Sequence, residues 1–195
     1  MADDFLDLDP SSELVPRRGR LLISEPYLVD PYFRRTVVLL CAHNNEGSFG
    51  FVLNRYIDMG INDLLDGMPQ LETRISIGGP VQSGNLYYLH TFGKHIDGSA
   101  EVIDGVHMGG DLEQIKAMLA TDVRLAKHVR FFVGYSGWGQ EQLQRELTDR
   151  SWLVSRADKQ RVMNTALDDL WADTLRFMGD RFAPLANFPE DPSLN

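Results

Sequence analysis

The chain has 195 residues, 28 acidic side chains against 19 basic ones, a formal net charge of −9 and a single cysteine, Cys41. With 43% hydrophobic and 24% charged residues it has the composition of a folded globular domain, not of a disordered chain. The acidic balance argues against a protein that coats nucleic acid, and one thiol builds no internal disulfide framework. Met1 is followed by Ala2-Asp3-Asp4, not by a basic and apolar leader, and no apolar run approaches the roughly 20 residues of a membrane span, so a cytoplasmic location is expected.

Residues 1–13 hold five acidic side chains and no basic one, and read as a solvated acidic tail; residues 188–195, with Glu190, Asp191 and two prolines, read as a second. Seven of the nine excess negative charges lie in these ends, so the body, 14–187, is close to neutral. Without repeats or a Gly/Ser/Pro-rich linker, the body is expected to be a single domain.

Arg20–Ser24 reads as a short strand. Thr36–His43 and Ser48–Asn54 read as a hairpin around Asn44-Asn45-Glu46-Gly47, residues that tolerate positive φ. Ile61–Leu65 is one helical turn, and Arg74–Ile77 and Leu86–His90 are strands on either side of Gly78-Gly79-Pro80. Ala100–Ile103 and Val106–Met108 form a hairpin around Asp104-Gly105. Asp111 caps a helix with Leu112, Ile115, Met118 and Leu119 on one face, followed by the strand Val129–Val133. Gly139–Leu147 is predicted helical and Trp152–Val154 extended. One long helix is predicted from Asp158 to about Gly179, with Val162, Ala166, Leu167, Leu170, Trp171 and Leu175 in a stripe. Hairpins first and helices later indicate the α+β class, not a regular parallel sheet.

Gly134-Tyr135-Ser136-Gly137-Trp138-Gly139 falls between a predicted strand and a predicted helix, where glycines expose amides that can cradle an anion. A nucleophile elbow needs glycine two places after its serine, and Trp138 stands there, so a tight turn is the better reading. Gly78-Gly79-Pro80 is a second unusual backbone path. His43 and His90 both end predicted strands and could meet, although no histidine pair has zinc spacing. Asn54-Arg55 could hold an anion through the guanidinium fork. Arg17-Arg18-x-Arg20 and Arg124-x-x-Lys127-His128-x-Arg130 are basic clusters without interleaved aromatics, better read as solvated faces than as nucleic-acid contacts.

Taken together, the motifs resemble the AlgH/YqgE family of bacterial proteins. The resemblance rests on Gly19-Arg20-Leu21-Leu22-Ile23-Ser24-Glu25-Pro26, Asp30-Pro31-x-Phe33-x-Arg35, Val37–Leu40 and the run from His43 to Arg55. It continues through Gly78-Gly79-Pro80-Val81, Leu89-His90 and Gly134-Tyr135-Ser136-Gly137-Trp138-Gly139-x-x-Gln142-Leu143-x-x-Glu146-Leu147, then Trp152-Leu153, Leu170-Trp171 and Gly179. It implies a compact domain whose branched, mostly antiparallel sheet curls into a pseudo-barrel flanked by helices. Members are labelled transcriptional regulators or uncharacterised proteins, with no reaction established. Alanine is common in the family where this chain has Ser136, which speaks against a shared serine nucleophile.

The expected function is therefore a non-enzymatic regulatory or adaptor module that binds a protein partner or a small ligand, without metal or cofactor. The expected surface gathers His43, Asn54, Arg55, Gly78, Gly79, Pro80, His90, Gly134, Tyr135, Gly137 and Trp138. The alternative is a small-molecule or nucleotide-binding enzyme with an anion site near Arg55, Gly79 and Gly137.

Overall fold

The computed structural model describes residues 14–190; the acidic tail expected at 1–13 and the last five residues of the expected C-terminal tail lie outside it. A ten-stranded sheet is the centre of the fold. β1 (Arg20–Ser24), β2 (Val37–Asn44) and β3 (Gly47–Val52) form an antiparallel meander. The main path runs β10 (Trp152–Arg156), β1, β2, β3, β9 (Val129–Gly139), β6 (Val81–His90), β8 (Val106–Met108), β7 (Ala100–Ile103). The sheet branches at β9. One edge of β9 carries β3 along Ser136–Gly139 and, further back, β5 (Ile75–Ile77) in parallel; β4 (Tyr56–Ile57) pairs onto β5. The path also curls, because the Gly19 backbone meets β7: a Cβ there would lie 2.8 Å from the Val102 carbonyl oxygen. The α+β, single-domain, pseudo-barrel expectation is the architecture observed.

Alternation along each strand divides the apolar residues between two faces. Leu21, Ile23, Val37 and Leu39 point into the barrel with Phe51, Phe132 and Trp171. Leu22, Val38 and Leu40 point outward to a second cluster with Trp138, Trp152 and Leu143. Both faces are covered, so these strands read as continuous apolar runs rather than alternating ones. A third cluster packs α1 (Ile61–Leu64) and α2 (Leu112–Thr121) against Phe131 and Ile75. Asp111 caps α2 as expected, accepting from the Glu113 and Gln114 amides. Among the described residues no helix is long and apolar enough to cross a membrane.

Two expectations are corrected. The 158–179 helix is two helices, α4 (Lys159–Met163) and α5 (Leu170–Phe177). Asp158 caps the first and Asp169 the second, while the Asn164 side chain accepts from the Ala166 amide and closes a turn between them. Side chains that bond nearby amides compete with a continuing helix. Secondly, Gly134–Gly139 is not a turn: β9 runs through it, and α3 (Gln142–Thr148) starts only after Glu141.

Candidate functional site

The glycine segments meet. Gly78 and Gly79 lie directly against β9, where a Cβ on Gly78 would fall 2.3 Å from the Gly134 carbonyl oxygen. Gly134 has φ +66°, and a Cβ on it would fall 2.6 Å from the Gly79 oxygen. These are backbone-on-backbone contacts that glycine alone accommodates. The Gly78 carbonyl accepts from the Val52 amide at 2.8 Å and from the Ser136 hydroxyl at 2.9 Å. Ser136 is fully buried in that role, so it is a strut of the barrel rather than a nucleophile. Pro80 is exposed at the turn, and Tyr135 packs against Phe49 and Tyr87, with ring centroids 4.8 Å and 5.8 Å away.

Beside this contact lies an open groove of about 460 Å³ between the β2–β3 turn and the end of β9. Phe49, Val81, Tyr135, Gly137 and Trp138 line it, and Glu46 is its one charged residue. Ser48, also in the lining, is held by His43 Nδ1 at 2.7 Å. The Asn44 carboxamide oxygen accepts from the Glu46 and Gly47 amides and fixes the turn.

The remaining candidates lie elsewhere and bond the backbone. Asn54 accepts from the Val37 amide at 2.9 Å and donates to the Arg35 carbonyl at 2.8 Å. The Arg55 guanidinium donates to the Arg34 carbonyl. Together they pin the loop before β2. Arg55 thus faces a carbonyl, and Gly79 is buried under Tyr135, so the two do not frame an open anion site. His43 and His90 do not meet: Ser48, the cross-strand neighbour of His43, pairs with Trp138, and His90 pairs with Val129. At about 3.3 Å per residue those positions are roughly 30 Å apart along β9.

His90 is fully buried, with Nε2 3.1 Å from the Gly109 carbonyl and Nδ1 accepting from the Phe92 amide. That pattern requires the neutral ring with its proton on Nε2. Its ring stacks on Phe92 and on His107, centroids 5.8 Å and 5.7 Å away. Burial pushes its pKa down; the Gly109 bond opposes this, and nearby His107 adds to it. The unfolded ring takes its proton near pH 6.5, and the folded ring only at lower pH. Between those values the unfolded chain holds more protons, so stability is complete above about pH 6.5 and falls as the pH drops through it, by up to about 1.4 kcal/mol per pH unit. Urea titrations at pH 7.5 and 5.5 are expected to show this loss, and His90→Gln is expected to reduce it. An equal loss in the variant would remove His90 as its source.

Two residues that organise the site were not among the expected site residues. The Glu146 carboxylate accepts from both indoles, Trp138 Nε1 and Trp152 Nε1, each at 2.8 Å, and from Gln142 Nε2 at 2.9 Å. It locks α3, β9 and β10 together behind the groove. Arg130, read as part of a solvated basic face, is instead fully buried on β9. It donates to the Leu53 and Val162 carbonyls and to Ser76 Oγ, and no carboxylate pairs with it among the described residues. The signal for it was present: Arg130 sits inside the apolar run Val129-Arg130-Phe131-Phe132-Val133. With Arg124 paired to Asp122 at 2.8 Å, the basic cluster around 124–130 is no continuous surface.

A family model described as AlgH-like matches residues 21–183. A UPF0301 protein of Chlorobaculum tepidum is 40% identical over 177 residues, covering 91% of this chain and 95% of that one. A UPF0301 protein of Bacteroides thetaiotaomicron is 37% identical over 186 residues, covering 95% and 94%. The solution structure of the AlgH protein from Pseudomonas aeruginosa superposes with a TM-score of 0.70 at 26% identity, over 88% of this chain and 94% of that one. A crystal structure of a Corynebacterium diphtheriae protein gives 0.74 at 23% identity, over 90% and 94%, a likeness of fold.

Proposed function

This chain belongs to the AlgH-like family, and from that premise we propose that it acts by binding rather than by catalysis, as a cytoplasmic regulatory or adaptor module. The groove of about 460 Å³ beside the glycine contact carries this reading. Its lining offers aromatic and aliphatic surface and a single carboxylate, Glu46. That combination fits a partner segment that presents an apolar side chain next to a lysine or arginine. Apart from His43, whose ring holds Ser48 in the groove lining, the groups that could do proton or nucleophile chemistry support the same reading. Ser136, Asn54, Arg55 and His90 each bond a backbone group of this chain.

The test uses isotope-labelled protein and short peptides with one aromatic residue flanked by lysines, alongside the same peptides with the lysines changed to glutamate. The cationic peptides are expected to shift amide signals of Phe49, Tyr135 and Gly137, and Glu46→Lys is expected to weaken binding at least tenfold. Shifts that spread over the surface and ignore Glu46→Lys would overturn the reading. So would turnover of a phosphoester, acyl ester or nucleotide that is abolished by changing His43, Arg55 or His90.

A further inference from the structure

A second charged feature lies at the far end of β1, away from the groove. Arg20 and Arg156 are direct cross-strand partners in the β1–β10 pairing. Directly opposed residues in an antiparallel pair project from the same face, with Cβ atoms about 4.5–5.5 Å apart, and like charges there repel. Arg17 joins them, because its carbonyl accepts from the Arg20 amide at 3.1 Å and closes a turn over the start of β1. Burial, and after it the charges of Arg17 and Arg156, hold the Arg20 pKa below the usual arginine value.

Nothing in the described residues compensates this cluster. Each of the five ion pairs lies elsewhere, and none includes Arg17, Arg20 or Arg156. Arg20 Nε is buried and has no acceptor among the described residues. A buried donor without an acceptor is uncommon in a folded protein and costs free energy. Two opposed arginines without an anion add repulsion to that cost. One compact oxyanion relieves the repulsion, because guanidinium groups present paired N–H groups to its oxygens.

We propose that Arg17, Arg20 and Arg156 form a binding site for a phosphate-type oxyanion, such as the diphosphate of a phosphorylated small molecule. Arg20 and Arg156 donate through their outer Nη groups from neighbouring strands, and Arg17 closes on the same anion from the turn. Arg156 is exposed at the end of the edge strand, so the site opens to solvent there. It is independent of the groove and stands or falls separately from it.

The probe is inorganic pyrophosphate added to the full-length chain, compared with sodium chloride at equal ionic strength. Saturable binding is expected, with a rise in Tm that chloride does not give and shifted Arg20 and Arg156 Nε–H signals in the NMR spectrum. Arg156→Gln, at an exposed position, is expected to weaken pyrophosphate binding at least tenfold and to raise Tm in anion-free buffer by removing the repulsion. Arg20→Gln is expected to lose binding as well. Unchanged binding in Arg156→Gln, or stabilisation by chloride equal to that by pyrophosphate, would overturn the proposal. A third arm neutralises Asp3, Asp4, Asp7, Asp9 and Glu13 as amides. If that variant moves the Arg20 Nε–H signal while pyrophosphate never does, the occupant is the chain's own acidic segment and the phosphate site is refuted.

Discussion

Arg130→Ala is expected to destabilise the protein by about 3–5 kcal/mol, measured as the loss in urea-unfolding free energy. The magnitude follows from what the guanidinium holds together. Its donors reach the Leu53 carbonyl just after β3, the Val162 carbonyl in α4 and Ser76 Oγ in β5, while the side chain itself is fully buried. Removal leaves at least two buried carbonyls short of a donor, each worth about 1–3 kcal/mol, and opens a cavity besides. Burial pushes the Arg130 pKa down to about 10, which still leaves it charged at neutral pH. Arg130→Lys is expected to recover little, because an ammonium on a flexible stem does not reproduce a planar fork that spans three elements. Methionine fills the volume and supplies no donor, so Arg130→Met separates packing from hydrogen bonding. A loss below about 1 kcal/mol in Arg130→Ala would show that the carbonyls find other partners.

Gly79→Ala is expected to cost at least about 3 kcal/mol or to leave the protein insoluble. The Gly79 backbone has φ +152°, and a Cβ would sit 2.3 Å from the carbonyl carbon and oxygen of Tyr135. Neither obstacle is a side chain that can swing away; relief requires β9 and the β5–β6 turn to move apart, which also strains the Gly78 and Ser136 bonds. Gly84→Ala is the control, since nothing lies within 4 Å of the added carbon and φ is ordinary. It is expected to fall within about 0.5 kcal/mol of the parent. Equal melting temperatures for the two variants would show that the glycine contact does not hold the barrel closed.

The contrast between these positions explains what could be read from the residues alone. The hairpin around Asn44–Gly47 and the helix after Asp111 were legible because their determinants are local: a turn that needs positive φ at Gly47, and an aspartate that accepts from two amides within three residues. The second half of β9 was not. Its glycines favour a turn taken one at a time, and other backbones decide otherwise: β3 pairs with Gly137 and Gly139, while Gly134, at φ +66°, lies against Gly78 and Gly79. The split between α4 and α5 was written in Asp169 and Asn164, but the apolar stripe runs through both helices and hides it. For the candidate site, Gly78-Gly79-Pro80 and Gly134-Tyr135 were legible as two motifs but their meeting was not, while Asn54, Arg55 and His90 proved to bond carbonyls that no sequence pattern identifies. Glu146 was quoted within the longest motif, yet its job is to accept from Trp138 and Trp152, eight residues before it and six after.

The place of β9 in the sheet also sets a timetable for synthesis. β1, β2 and β3 leave the ribosome first and can pair with one another, but the free edge of β3 waits for Gly137 and Trp138, and the free edge of β1 waits for Trp152–Arg156. At about 5–20 residues per second, that wait lasts several seconds. Through it the nascent meander presents Phe49 and Phe51 on an uncharged strand with one free edge, Gly47–Val52, the kind of edge that recruits other chains. The newborn chain is thus most open to aggregation before its hub strand exists, and a holdase that covers residues 47–52 until β9 emerges would raise its yield more than one acting on the finished fold.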